Sequence, residues 1–281
     1  MQDQRLQYDR IIITGASSGF GEAFASTLAP HAGELILIAR RTDILQRTAT
    51  ALEQQTPGLH ATAIPCDLAD ENSLIGLIGH LTALPPGRTL LINNAGTGDY
   101  GEFCDGSWDR IQTLLRLNME APTRLCHALI PVMKQYGGDI INISSLAALL
   151  PIPDFAVYAA SKAYLSSLSE ALRMELGGEG IRVLAVCPGP VSTGFGQAAR
   201  RPGFTGNMMP GRNAFDTSID TVVQDTIRAL SQNRARVFPG LKIRLAALLL
   251  SLAPLCVIRH FMGKRPRKVQ AEPGPANNAA S

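Results

Sequence analysis

Over its first two thirds this chain alternates short, near-continuous apolar runs with longer stretches of helical length. The runs cover residues 10–14, 35–39, 61–65, 90–93, 139–144 and 182–187, and Ile, Leu, Val and Ala dominate them. A strand with apolar side chains on both faces has to be covered on both faces. Such strands alternating with helices imply a parallel sheet with a helical layer on either side. Right-handed crossovers then make it doubly wound. The expected class is α/β, a doubly wound parallel sheet in a three-layer sandwich. Neither an internal repeat nor a Pro/Gly/Ser linker divides residues 8–240, which read as one domain.

The ends of these runs carry the informative residues. The first is followed at once by Thr14-Gly15-Ala16-Ser17-Ser18-Gly19-Phe20-Gly21. A strand, a glycine-rich turn and a helix start gather backbone N–H groups and the positive end of a helix dipole, which binds phosphate. The second run ends in Ala39-Arg40-Arg41. A dinucleotide site that prefers NAD places a carboxylate there for the ribose 2′-hydroxyl, whereas a 2′-phosphate wants a cation. Two arginines favour NADP(H) over NAD(H). Asp67, after the third run, is placed to accept a hydrogen bond from an adenine amine. Asn93-Asn94-Ala95-Gly96 closes the fourth run at the edge where ligands bind in such sheets.

Tyr158 and Lys162 stand four residues apart, thirteen and more after Ser145. On a helix they project the same way, one turn apart. A tyrosine titrates near pH 10 in water, and an ammonium beside it favours the phenolate. The pair is a general acid/base in waiting. A serine hydroxyl from a neighbouring strand end can hold a carbonyl oxygen against it.

The glycine turn, Asp67, Asn94-Ala95-Gly96, Asn118, Ser145, Tyr158-x-x-x-Lys162 and the run from Cys187 through Pro188, Gly189, Pro190, Val191 and Ser192 to Thr193 together resemble the short-chain dehydrogenase/reductase family. They stand in the family's order and spacing over residues 10–238. The resemblance implies a Rossmann-type NADP(H)-dependent oxidoreductase that interconverts a carbonyl and an alcohol. It assigns Tyr158 as acid/base and Lys162 as the group that tunes it and holds the nicotinamide ribose. Ser145, rather than Ser144, would orient the carbonyl, and Asn118 would hold a relay water. Gly15, Ser17, Ser18, Gly19, Phe20 and Gly21 would form the phosphate turn. Arg40, helped by Arg41 and Ser17, would meet the 2′-phosphate. Asp67 would contact adenine, Asn94 with Ala95 and Gly96 would brace the adenosine side, and Pro188, Gly189, Val191 and Thr193 would pack on the nicotinamide. Assembly as a homodimer or homotetramer is also implied.

Composition adds three constraints. Five scattered cysteines with no Cys-x-x-Cys, and dispersed histidines, suggest reduced thiols in a cytoplasmic setting and no metal. The first ten residues hold no apolar stretch, so no secretory signal is expected. Ten of the 26 Lys and Arg fall in residues 226–271, which contain no acid.

Residues 241–268 form an apolar and basic extension, with a fourteen-residue aliphatic run kinked at Pro254. A span needs about 20 apolar residues. The extension therefore suits either a peripheral contact with the inner face of a membrane, or packing over the cleft or between subunits. Residues 194–216 lack any period and read as a mobile loop. Its Phe195, Phe204, Met208 and Met209 suggest an apolar substrate, and Arg200 and Arg201 read as solvated, with contact to an acidic substrate the alternative. Residues 269–281 read as a disordered tail.

Other classes fit less well. Gly15-x-Ser17-x-Gly19 matches a hydrolase nucleophile elbow, but the late histidine that chemistry needs is only His260, inside the extension. The basic segment has almost no aromatics, which argues against nucleic acid. A non-catalytic sensor would have no use for Tyr158, Lys162, Ser145 and Asn118 together.

Overall fold

The computed structural model describes residues 6–191, 194–201 and 215–263. Seven strands form the sheet: β1 Tyr8–Thr14, β2 Ala32–Ala39, β3 His60–Pro65, β4 Thr89–Asn93, β5 Gly138–Ile143, β6 Ile181–Val186 and β7 Arg236–Val237. All neighbours are parallel, in the order β3-β2-β1-β4-β5-β6-β7. The helices are α1 Gly19–Leu28, α2 Thr42–Gln55, α3 Glu71–Thr82, α4 Trp108–Leu115, α5 Ala121–Tyr136, α6 Ala156–Glu175, α7 Phe195–Ala198, α8 Ile219–Ser231, α9 Leu241–Leu252 and α10 Leu255–Met262. The chain winds outward from β1 in one direction and from β4 in the other, which is the expected doubly wound class. β7 has only two residues and shows no period, so the sequence did not announce it.

The strand period sorts the core into two layers. Ile11, Ile13, Leu35, Leu37 and Ile92 face α1, α2 and α8, whereas Ile12, Ile36, Ile38, Leu91 and Ile140 face α3 and α5. Both sets are almost fully buried. The amino ends of the central strands are tied by charge. Asp139 in β5 is wholly buried and accepts hydrogen bonds from Tyr8 Oη at 2.6 Å, Arg182 Nη2 at 2.7 Å and Arg88 Nη2 at 3.3 Å.

The carboxyl ends are built differently. Asp70, Ser107 and Ser218 cap α3, α4 and α8 through their side chains. Ser18, at the start of α1, makes no such bond, which leaves the first-turn N–H groups without a side-chain acceptor. The crevice between the diverging β1 and β4 lies beside that helix start.

Candidate active site

The glycine turn is held by close packing against the β4 loop. Gly15 has φ +68°, and a Cβ there would lie 2.9 Å from both Ala95 Cα and Asn94 Nδ2. Asn94 Nδ2 donates to the Thr14 carbonyl at 2.9 Å and to that of Gly15 at 3.2 Å. Thr14 Oγ1 accepts from the N–H of Asn94 and of Ala95, both at 3.0 Å. Thr14, which the motif reading quoted without giving it a role, thus ties the turn to the β4 loop. Gly19, at φ +59°, and Gly21 complete the turn, and a Cβ on Gly21 would collide with the Gly15 carbonyl.

Arg41, which the sequence reading cast as a helper, is the arginine tied to the turn. Its Nε and Nη2 donate to Ser17 Oγ at 3.2 and 3.0 Å, and Nη2 also donates to the Ser17 carbonyl at 2.9 Å. Arg40 is exposed and makes no side-chain hydrogen bond to a described residue. Asp67 is exposed after β3 and folds its carboxylate onto the Ala69 N–H at 3.0 Å. An uncapped helix start, glycines with no room for a side chain and a pair of cations at the end of β2 together fit a dinucleotide bearing a 2′-phosphate.

Further along the same edge, Tyr158 lies on the first turn of α6 and Ser145 follows β5. The Tyr158 ring stacks on Phe155 with centroids 4.1 Å apart, Phe155 meets Tyr100 at 4.8 Å, and Phe195 lies 5.5 Å from Tyr158. Burial pushes the Tyr158 phenol up to about 12, against a smaller downward pull from a hydrogen bond with Ser145. The ammonium does not offset this as expected. Lys162 Nζ is 5.7 Å from the Tyr158 ring centre and donates to the Ile143 carbonyl at 2.8 Å. Burial brings Lys162 itself down to about 8. In a site this dry, loss of solvent is the largest influence on both groups.

The adjacent serines divide their roles. Ser144 Oγ donates to the Lys162 carbonyl at 2.7 Å and pairs with Ser166 Oγ at 2.8 Å, so it is engaged in fixing α6. Ser145 Oγ accepts from the Ala147 N–H at 3.1 Å and keeps its proton for another partner. Asn118 sits in a π-turn, Arg116–Glu120, between α4 and α5. Its Nδ2 donates to the Thr97 carbonyl at 2.9 Å and to Ser161 Oγ at 3.1 Å, and its Oδ1 accepts from the Thr97 N–H at 2.9 Å. With both donors taken, its side chain positions the loop around Gly96 rather than reaching into the crevice.

Residues 9–202 match the model of the short chain dehydrogenase family. The chain belongs to that family. A ketoacyl reductase of a Nostoc species is 36% identical over 65% of this chain and 63% of its own length. A fatty acyl-CoA reductase of Mycobacterium tuberculosis is 35% identical over 64% of this chain and 62% of its own. The chain thus aligns with less than two thirds of the length of either relative. Among solved structures, a short-chain dehydrogenase from Sphingobium yanoikuyae in complex with NADPH is 30% identical over 93% of this chain and 98% of that one, with TM-score 0.74. An alcohol dehydrogenase from Comamonas testosteroni, specific for bulky-bulky ketones, is 27% identical over 94% and 96%, with TM-score 0.72.

In this short-chain dehydrogenase the start of the loop after β6 packs on the turn that follows Ser145 and on α9. The Pro188 carbonyl accepts from the Leu146 N–H at 2.8 Å, linking it to the turn that follows Ser145. Gly189 lies against Ile243 of α9, where a Cβ would collide with the isoleucine, and Val191 lies across from Gly19 on α1. Thr193, Phe204, Met208 and Met209 lie outside the described residues, as do residues 264–281. Arg201, read from sequence as solvated, is instead paired with Asp99, with Nη2 to Oδ2 at 2.6 Å. Among the described residues no cluster suits a metal ion.

Proposed function

We propose that this short-chain dehydrogenase is an NADP(H)-dependent oxidoreductase that interconverts a ketone or aldehyde with its alcohol, on a lipophilic substrate. The observation that carries the reading is the hydrogen bond between the Tyr158 phenol and the Ser145 hydroxyl, with the Lys162 ammonium 5.7 Å from the Tyr158 ring. The NADPH of the Sphingobium structure and the bulky ketones of the Comamonas enzyme support it. Arg41 and Arg40 would hold the 2′-phosphate, and the N–H groups at the start of α1 the pyrophosphate. NADPH held there would supply a hydride for the carbonyl carbon.

The protein's own work is on the oxygen. Ser145 donates to it and holds it in place as negative charge grows, which lowers the barrier. Tyr158, kept protonated at neutral pH by burial, delivers the proton. Lys162 is charged at neutral pH and would fix a ribose hydroxyl. Since the Asn118 side chain is engaged, a relay water would rest on main-chain carbonyls of its π-turn. The shelf of Tyr100, Phe155 and Phe195 gives the substrate an apolar wall. Partners proposed are a small apolar carbonyl or alcohol, a membrane surface at residues 241–268, and further copies of the chain in a homodimer or homotetramer.

The test is Tyr158→Phe assayed by NADPH absorbance over a carbonyl panel. Turnover should fall on the order of 10²–10⁴-fold, the range for a lost general acid, while the NADPH dissociation constant stays within about twofold. Full turnover in the variant, or tight NADPH binding with no carbonyl reduced by the wild type, would sink the proposal.

A further inference from the structure

α9 and α10 display far more apolar surface than they bury. α9 turns only Ile243 and Ala247 inward, residues one turn apart on a single stripe. At 100° per residue, Leu241, Leu245, Leu248, Leu249 and Leu252 fall on the opposite side of the helix. All five are more than half exposed. Lys242 and Arg244 project about 80° to either side of this leucine stripe, and both are exposed. After a 116° bend at Ala253 and Pro254, α10 continues the apolar surface with Leu255, Val257 and Phe261 and adds Arg259 and His260. An exposed patch of this extent marks an interaction site.

Charge selects the occupant. Residues 241–263 contain three Lys or Arg and no Asp or Glu. A second copy docked through a two-fold axis would gather Arg244 and Arg259 of both copies at one seam, with no acid in the segment to separate them. An anionic bilayer satisfies both features, since leucines immerse in the acyl boundary while the flanking cations meet the headgroups. Among the described residues no single helix is long and apolar enough to cross a membrane, and the pair α9 and α10, apolar enough only when taken together, is bent back on itself by 116°, which suits contact from one side of the bilayer.

The inner side of the same elbow reaches the chemistry. Ile243 seats against Gly189, α9 packs on the turn Leu146–Leu149 that follows Ser145, and Met262 packs on the cluster of Tyr100, Phe155 and Tyr158. We propose that α9 and α10 form a docking surface for an anionic lipid bilayer, and that the bilayer delivers the lipophilic substrate to the crevice beside Tyr158. The delivery half rests on the oxidoreductase reading above; the docking half does not.

The test uses the full chain and vesicles of phosphatidylcholine with or without phosphatidylglycerol. The protein should co-sediment with the anionic vesicles and much less with the neutral ones. Leu248→Asp with Leu252→Asp should abolish binding. Lys242→Glu with Arg244→Glu should weaken it about tenfold or more, because each cation near an anionic surface contributes. Both variants should retain turnover of a water-soluble carbonyl, yet lose the gain seen when an apolar ketone is presented in anionic vesicles. Absence of wild-type binding to anionic vesicles, or binding unchanged by the leucine substitutions, overturns docking. Leucine substitutions that convert a dimer to a monomer, with no vesicle binding by either form, assign the face to a second copy instead. Vesicle binding by an enzyme that reduces no carbonyl would refute the oxidoreductase reading and leave docking standing.

Discussion

At Tyr158 and Lys162, burial is the largest influence on each proton. An ammonium near a phenol lowers its pKa in proportion to the attraction between the charged forms, and burial penalises each charged form separately. Here burial dominates for both groups, so the phenol lies at about 12 and the ammonium at about 8. As pH rises from neutral, Lys162 loses its proton long before Tyr158. The alkaline limb of kcat/KM for reduction should therefore have its midpoint near 8, with activity present below it and lost above it. Replacing Lys162 by Arg, which stays charged to much higher pH, should lower the plateau and move the limb upward. An unmoved limb in Lys162→Arg would assign that titration to another group.

At the scale of elements, the segment from α7 to Arg201 is strapped to the loop between β4 and α4. Asp99 is buried and accepts from Arg201 Nε at 2.9 Å, Arg201 Nη2 at 2.6 Å and Arg110 Nε at 3.0 Å. The Tyr100 N–H donates to the Ala199 carbonyl at 2.7 Å, and Tyr100 bridges to Arg200 in parallel. Burial by itself would raise the Asp99 carboxyl, but the hydrogen bonds and charges of Arg201 and Arg110 hold it below the ordinary carboxylate range. Stability from this group is present above the unfolded pKa and lost as pH falls through the folded one. The strap presses Phe195 and Tyr100 toward the Tyr158 ring. Asp99→Asn should leave Arg201 poorly paired, at a cost of about 1–3 kcal/mol confined to this region. KM for a bulky carbonyl should rise several-fold with NADPH affinity unchanged, and trypsin should cut near Arg200 and Arg201 sooner. A variant with wild-type KM and wild-type cleavage there would show that the strap does not shape the pocket.

For the molecule as a whole, the two edges of the sheet separate chemistry from stability. What the sequence made legible follows that division in part. Strands such as β1 and β4 were readable because burial on both faces writes an unbroken apolar run, and the glycine turn because its backbone needs residues without side chains. Tyr158, Lys162 and Ser145 were readable because their spacing is local to one helix and the strand before it. Long-range pairings left no local mark: Arg201 looked like any loop arginine, and Asp139 like a polar residue opening a strand. Arg40 and Arg41 were indistinguishable as letters, and only the direction of the chain after β2 puts Arg41 on Ser17. Asp139, with Arg182, Tyr8 and Arg88 around it, joins β1, β4, β5 and β6 at their amino ends, far along the strands from the crevice. Removing its charge leaves buried donors without an anion, which costs about 3–5 kcal/mol. Asp139→Asn should therefore lower the melting temperature on the order of 10 °C for a chain of this size. The folded variant should bind NADPH as the wild type does and keep its KM for the carbonyl. A comparable loss of NADPH affinity at a temperature where the variant is fully folded would mean that strain at the amino edge reaches the glycine turn, and that the two edges are coupled through β1.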